Sequence, residues 1–409
     1  MIFSLQRDNS WEFEVDSSRN GHITSLFFAH KESIKLLKAF PEVLLLDCTY
    51  KTNRFRMPLF NITGVTCLKK TYYVGFALLS RERQANYKWA LKALKRLYQQ
   101  TELPAPATLL TDRDLGLLKA IQAVFPTSKY LLCLWHVEKN VLARCKYYFR
   151  TEEAWTLFSK AWSQLLQAPT ILEHSRLLEE LQASLQSTPR VVTYLEQTWL
   201  PYKESLVRAW TNQALYFGLT TTSRVESSHA ALKSYLQVST GDLQAVVDQI
   251  GLLICNQDVE IRAAKAQAKI RIGIDLNQAL LVDVKGIVSP FGLCLILEQL
   301  RALSRTPSPR SSPCTRVFRT TMGLPCTHEL GNYRDSGRSL QPEIVHPYWL
   351  IERHSTVERI SIDPLLLLRE PPIARPRGRP TGALGVSRST RRNPSLFEIT
   401  ETEARAMGI

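Results

Sequence analysis

In Val43-Leu44-Leu45-Leu46-Asp47-Cys48-Thr49-Tyr50-Lys51-Thr52-Asn53, four apolar residues run into an aspartate and then into small and polar residues. A short, continuous apolar run bounded in this way reads as a buried strand. A carboxylate at its end is presented at a sheet edge, where cations and substrates reach it. Two later segments are built to meet it: Thr108-Leu109-Leu110-Thr111-Asp112-Arg113-Asp114 and Thr222-Ser223-Arg224-Val225-Glu226-Ser227-Ser228-His229. Two strand-end aspartates and a distant glutamate are the set that two-metal phosphoryl transfer requires. Two Mg²⁺ or Mn²⁺ ions about 3.5–4 Å apart stabilise the attacking and leaving oxygens, and such hard cations take carboxylate oxygens and water. Spacing alone leaves a second reading open, with Asp112 as a helix N-cap, Asp47 as a turn residue and Glu226 as a first-turn partner of the helix dipole.

A chain of 409 residues has room for two or three domains and a sizeable core. Its formal net charge of +15 and isoelectric point near 9.5 point to an acidic partner, nucleic acid being the commonest, or to a merely basic soluble protein. No apolar run approaches the roughly 18 residues that a membrane span needs, and the start, Met1-Ile2-Phe3-Ser4-Leu5-Gln6-Arg7-Asp8, lacks a secretory apolar region. Eight cysteines scattered over the whole length suit reduced thiols and one metal site better than a disulfide framework.

Taken outward from the first run, the pattern is a mixed α/β sheet. Residues 11–17 alternate apolar and polar, Asn20-Gly21 marks a turn, and 23–29 form the partner strand. A short helix at 31–40 precedes the strand ending at Asp47. Apolar stretches 57–66 and 72–79 flank a hairpin tip at Lys69-Lys70, and Asn86 caps a helix running to Gln100. Strand 107–111 ends at Asp112, helix 114–124 follows, and strand 130–134 runs into a further helix. Three antiparallel strands are thus followed by alternating elements. The expected organisation is lead-in strands and helix at 1–40, the first part of a core at 41–150, an all-helical insertion at 151–214, completion of the core at 215–300, a Ser/Pro/Arg linker at 301–313, a small Cys/His segment at 314–354, and a disordered Arg/Pro/Gly-rich tail at 370–409. Helical periodicity covers 223–236 and 242–270.

Four blocks in this order resemble the transposases of the Mutator-like element (MULE) superfamily, which are DDE nucleases with an RNase H-like fold. They are Leu46-Asp47-Cys48-Thr49-Tyr50-Lys51-Thr52-Asn53; Leu110-Thr111-Asp112-Arg113-Asp114 with Ala120-Ile121 and Phe125-Pro126; Leu132-Cys133-Leu134-Trp135-His136-Val137-Glu138-Lys139-Asn140; and Thr222-Ser223-Arg224-Val225-Glu226-Ser227. The resemblance spans roughly residues 10–350. It implies an RNase H-like mixed sheet with helices on both faces, two Mg²⁺ or Mn²⁺ ions, and Asp47, Asp112 and Glu226 as the metal-binding triad. Asp114 competes with Asp112; the apolar run leads directly into Asp112, while Asp114 suits the cap of the next helix. Cys133 and His136 form the superfamily's C-x-x-H block, expected beside the acidic site to shape it or touch DNA. As zinc ligands they lack two partners nearby, as a catalytic pair they need an activated thiolate, and as ordinary residues they are a buried cysteine and a helix-start histidine. The first catalytic strand begins by residue 43, which leaves no room for the zinc-type DNA-binding domain that many relatives carry. The chain is therefore a truncated copy, or it recognises DNA ends another way.

Cys314, Cys326 and His328 resemble a SWIM-type zinc finger, C-x-C then C-x-H, in which Ser312 stands where the first cysteine belongs. Structural zinc usually takes four ligands, so His346 or water completes the site, or the segment is a metal-free knuckle. In the tail, Arg377, Gly378, Arg379 and Pro380 resemble the core of an AT-hook. Glycine lets the backbone lie deep in a narrow A·T-rich minor groove whose negative potential attracts arginine, and Arg375, Arg388, Arg391 and Arg392 add phosphate contacts. The alternative is a solvated linker or a nuclear-localisation patch. Together these features imply a nuclear DNA transposase that cuts element ends and joins the freed 3′ hydroxyl to target DNA, acting on double-stranded DNA as a homo-oligomer with no membrane association. The alternative is a domesticated, transposase-derived DNA-binding protein without nuclease activity, and a weaker one is an RNase H-like nuclease unrelated to transposition.

Overall fold

The computed structural model describes Leu5 and residues 9–221, 223–236, 241–271, 273–305 and 314–353, and for residues 223–227, 304 and 305 the backbone alone. The tail motif Arg377, Gly378, Arg379 and Pro380, Arg375, Arg388, Arg391 and Arg392, and Ser312 lie outside the described residues.

Seven strands, β1 (Trp11–Ser17), β2 (Ile23–His30), β3 (Val43–Thr49), β4 (Leu59–Val65), β5 (Thr71–Leu79), β6 (Thr108–Thr111) and β7 (Lys129–Leu132), form one sheet in the order β1-β2-β5-β4-β3-β6-β7. Pairing is antiparallel from β1 to β3 and parallel from β3 through β6 to β7. This is the RNase H-like mixed sheet. The continuous run Val43–Leu46 is buried because β3 is central and covered on both faces, the usual reason for a strand without alternation.

Helices cover both faces. α1 (Lys31–Ala39), α2 (Gln84–Gln100) and α3 (Leu115–Val124) belong to the larger core, in which Leu91, Leu94, Leu117 and Ile121 are buried with Phe27, Ala29 and Leu45. α4 (Leu134–Cys145) follows β7. A helical region then runs through α5 (Glu152–Leu166), α6 (Ile171–Ser184) and α7 (Pro189–Thr198), and its core, including Phe158, Trp162, Leu165, Leu181, Val191 and Trp199, is continuous with Leu132, Val137 and Val141. α8 (Ser223–Leu236) and α9 (Leu243–Ile270) cover the other face, where Leu232, Leu236, Val246, Val247 and Ile250 meet Leu26, Phe28, Tyr73 and Phe76. The two-residue period of a strand sorts β2 accordingly, Leu26 and Phe28 to one core and Phe27 and Ala29 to the other.

The chain then passes through α10 (Pro290–Arg305), α11 (Val317–Met322) and α12 (Thr327–Asp335). The residues after α12 return to the main core: Tyr348 stacks on Phe217 at 3.7 Å and 5°, and Trp349 Nε1 donates to Met322 O (2.5 Å). Among the described residues no helix is long and apolar enough to cross a membrane.

Three local expectations change. β3 does not end at Asp47; it runs to Thr49 because the ladder with β4 continues to the pair Thr49 and Leu59. The strand expected at 130–134 stops at Leu132, since Cys133 is already the N-cap of α4. Asn86 is not a cap. α2 starts at Gln84 after Arg83, which puts Asn86 on the third helical residue, where its Nδ2 donates to Ser80 Oγ (3.1 Å). The turn at Lys69-Lys70 forms as read, with Lys69 at φ +57° and Thr66 N donating to Lys70 O (2.9 Å).

Candidate active site

Leu46 and Thr111 are register partners on parallel strands, so the residues that follow them stand side by side, Asp47 on β3 and Asp112 just past the end of β6. Neighbouring strands are about 4.8 Å apart, and paired positions share a face. The row extends both ways. Leu132 pairs with Thr111 and Cys133 N donates to Thr111 O (2.8 Å), which sets Cys133 beyond Asp112, while Asn61 of β4 pairs with Asp47. Asn61 and Asp47 on β4 and β3, and Asp112 and Cys133 just past the ends of β6 and β7, thus follow one another in a row across the sheet.

Asp47 Oδ1 accepts from Cys48 N at 2.8 Å. Burial raises the Asp112 carboxyl above its ordinary range; Asp114 and Glu82 push the same way, against His136 and the Thr111 hydroxyl. His136 lies in the first turn of α4. Burial opposes its protonation, yet Cys133 and the carboxylates of Asp47 and Asp112 outweigh it, and the net shift is upward. Asp114 does not join the row directly: its Oδ1 accepts from Leu117 N (2.7 Å) as the N-cap of α3. Arg113 turns to the helical region, with its guanidinium 5.5 Å from the Trp199 ring and 5.1 Å from that of Tyr202.

α8 crosses the opposite side of the row. The Tyr73 hydroxyl donates to Ser228 O (2.6 Å) and Leu232 is fully buried, which fixes the helix on the sheet. His229 Nδ1 lies 3.9 Å from Asp47 Oδ2, and its Nε2 lies 2.9 Å from Asn61 Nδ2. Burial, with the positive fields of Lys233 and His136, pushes His229 down to about 4. The ring is therefore neutral at neutral pH, and its approach to Asp47 is dipolar rather than ionic. With the Asn61 amide nitrogen donating, Nε2 accepts and Nδ1 carries the proton that faces Asp47. Position 226 lies three residues before His229, on the same side of the helix one turn nearer its N-terminus. The Glu226 side chain lies outside the described residues.

Sequence reasoning assigned no role to Asn61, His229, Glu82 or Tyr50. Asn61 is a fully buried amide between Phe60 and Ile62 of a mostly apolar strand, and that interruption was its signal. His229 was marked only by its three-residue spacing from Glu226. Tyr50 donates to Glu82 (2.7 Å to either carboxylate oxygen) at the rim of the site, a pairing with no sequence signal.

Cys314, Cys326 and His328 have ligand atoms all within 4.8 Å of one another, the one such group of three among the described residues, and the two sulfurs are 3.6 Å apart. Two thiolates sharing a tetrahedral zinc at about 2.3 Å each would lie about 3.8 Å apart, so the donor set fits that ion. The C-x-H spacing follows from the helix start: Cys326 is the N-cap of α12 and His328 its second residue. His346, expected as a fourth ligand, is not in the group. Its Nδ1 accepts from Tyr348 N (3.1 Å) and its ring lies 5.2 Å from Phe217. Among the described residues, Cys133 and His136 join no three-ligand group either.

The fold and the paired aspartates define the class: a mixed α/β, RNase H-like protein with an acidic row at the edge of its parallel strands. Residues 43–140, which carry Asp47, Asp112, Cys133 and His136, match the MULE transposase domain family, and the chain's similarity is to Mutator-like transposase-related proteins. It is similar to Protein FAR1-RELATED SEQUENCE 11 of Arabidopsis thaliana (23% identity over 311 residues, 72% of this chain and 42% of that protein). Protein FAR1-RELATED SEQUENCE 5 of the same plant matches at 23% over 251 residues, 58% of this chain and 29% of that protein. The PKS-NRPS hybrid synthetase cheA of Chaetomium globosum matches at 26% over 379 residues, 84% of this chain but 8% of that protein. The chain spans less than half the length of each of these relatives.

Proposed function

We propose that the chain acts on double-stranded DNA as a DDE-type transposase, through metal-dependent strand cleavage and strand transfer at Asp47, Asp112 and Glu226. The observation that carries this function is the register that sets Asp47 beside Asp112 under the helix bearing Glu226. The donor set is all oxygen, which suits Mg²⁺ or Mn²⁺. When bound, the ions supply charge stabilisation at the attacking and leaving oxygens of the phosphodiester.

The chain's own residues do the rest. Asp47 and Asp112 would hold the cations, with Glu226 of α8 as the third carboxylate of the set. Neutral His229, held by Asn61, faces Asp47 and limits its rotation. His136, whose proton affinity is raised against its burial by Cys133 and both carboxylates, stands beside the row. The excess of lysine and arginine holds the DNA backbone through salt-sensitive contacts. The Arg377-Gly378-Arg379-Pro380 tail adds minor-groove affinity, Cys314, Cys326 and His328 hold zinc, and the site of action is nuclear.

The test is Mn²⁺- or Mg²⁺-dependent cleavage and strand transfer on DNA carrying the flanking genomic ends, for the wild type and for Asp47→Asn, Asp112→Asn and Glu226→Gln. Loss of cleavage in all three with DNA binding retained is the expected result. A wild type that binds these ends and never cuts them establishes the second reading, a domesticated DNA-binding protein. That reading is favoured by relatives such as Protein FAR-RED IMPAIRED RESPONSE 1 (26% identity over 129 residues), which is named for a far-red response rather than for transposition.

A further inference from the structure

The loop that joins β3 to β4, residues 50–58, starts just past Asp47 and is closed by the pair Thr49 and Leu59. It carries Lys51, Arg54 and Arg56, with Tyr50 and Phe55 among them, and all five residues are exposed, Phe55 at 53%. Its interior is fixed. Thr52 and Asn53 are buried, Asn53 Nδ2 donates to Met57 O (2.8 Å), and Met57 N donates to Asn53 Oδ1 (3.1 Å). Arg54 N donates to Gly241 O (3.0 Å), which ties the loop to the start of α9. Lys51 at φ +60° and Arg56 at φ +55° occupy the left-handed region, where glycine and asparagine are easiest. A backbone held there by buried hydrogen bonds, with a cation at each such position, points to a use for the side chains. Among the described residues no carboxylate pairs with Lys51, Arg54 or Arg56. The Arg54 guanidinium lies 5.1 Å from the centroid of the Phe55 ring, so cation and apolar ring are presented together.

We propose that this loop grips the DNA beside the acidic row, with Lys51, Arg54 and Arg56 each taking one backbone phosphate and Phe55 lying against the sugar edge, an inference that rests on the DNA-processing function above. The position follows from the chain itself, since β3 carries Asp47 straight into the loop. The rigidity has a use as well: cations held on a fixed backbone lose less freedom on binding than cations on a loose one. Guanidinium groups match phosphate oxygens in pairs, and such contacts set the register of a strand without reading its sequence. Sugar and phosphate alternate along a DNA strand, which suits an apolar ring set among cations. A peptide of carboxylates would satisfy the cations but give Phe55 nothing apolar to meet. Tyr50 stays outside the grip, because its hydroxyl donates to Glu82, whose carboxylate repels phosphate.

The test uses the full chain and a fluorescein-labelled duplex, with affinity followed by anisotropy over a series of salt concentrations. Lys51→Asn and Arg56→Asn remove the charge and keep a residue that tolerates the left-handed backbone; Arg54→Gln acts on an exposed side chain, and three separate variants keep the inference testable if one fails to fold. Each is expected to shallow the slope of log affinity against log salt concentration by about 0.9 and to weaken binding about eight-fold near 0.1 M salt, the effect of one lost phosphate contact. Phe55→Ala is expected to weaken binding with the slope unchanged. Lys285→Gln, whose ammonium donates to Asn277 Oδ1 (2.7 Å), is expected to change neither quantity. Unaltered slopes in the three loop variants, with salt-dependent binding by the wild type, overturn the grip and leave the DNA function standing. A slope that falls as far in Lys285→Gln reports net charge alone and also overturns it. Displacement of the duplex by poly-glutamate at equal charge overturns the choice of DNA over an acidic peptide. A wild type that binds no duplex at any salt concentration overturns the grip and the DNA function together.

Discussion

Two adjacent tyrosines of β5 face opposite sides of the sheet and each donates one buried hydrogen bond: Tyr72 to Phe40 O (2.8 Å) and Tyr73 to Ser228 O (2.6 Å). Burial raises both phenols well above their ordinary value, so both remain donors at any accessible pH. Tyr73→Phe removes the tie between the sheet and α8 without opening a cavity, because the ring stays. The cost is one net hydrogen bond, about 0.5–1.5 kcal/mol. The Ser228 carbonyl keeps its helical partner one turn on, which holds the loss near 1 kcal/mol, or roughly five-fold in the docking equilibrium of α8. The assay pairs urea unfolding with hydrogen exchange of the amides of 228–236. Tyr73→Phe is expected to speed that exchange about five-fold, whereas Tyr72→Phe loses similar global stability and leaves α8 protected. Equal effects of the two substitutions on α8, or none from Tyr73→Phe, would refute the claim that this hydroxyl holds the helix in place. Because α8 carries His229 and Glu226, cleavage is expected to fall with docking in Tyr73→Phe alone.

Further outcomes follow from other residues. His174 is buried against Trp210 (5.0 Å) with Nε2 unpartnered, and burial, with the field of Lys203, lowers its pKa below 6.5. The unfolded chain therefore binds the proton first, and stability present above about pH 6.5 is lost as pH falls toward the lower folded value; His174→Phe is expected to flatten that loss in urea midpoints measured between pH 7 and 5. Cys326→Ser is expected to abolish zinc uptake measured with a colorimetric chelator, while Cys255→Ser, an exposed cysteine far along the chain, leaves it intact. Leu45→Ala, at a fully buried position of the central strand, is expected to cost about 2–5 kcal/mol in unfolding free energy.

The backbone of the candidate site was legible because it is written in local pattern. A continuous apolar run announces a strand covered on both faces, and the runs at 43–46 and 108–111 each lead straight into an aspartate. The helix at 223–236 was legible for the same reason, since its periodicity survives in isolation. What surrounds Asp47 was not legible, because it depends on antiparallel register. Asn61 meets Asp47 only once β4 pairs with β3, and His229 meets both only once α8 lies across them. Caps were legible where an aspartate directly precedes apolar spacing, as at Asp114, and misread at Asn86, where the helix starts earlier than its polar residue suggests. The return of Tyr348 and Trp349 onto Phe217 has no local signature either, since stacking partners more than a hundred residues apart leave no periodic trace.

His229 and Asp47 touch across about 180 residues of chain. A ribosome adds about 5–20 residues each second, so the aspartate emerges roughly 10–35 seconds before its partner helix exists. Throughout that interval the growing polypeptide has its first acidic strand but lacks the helix that covers it. A product of early termination is therefore left with an open half-site, and any cutting competence arrives late in synthesis, after the intervening helices have been made.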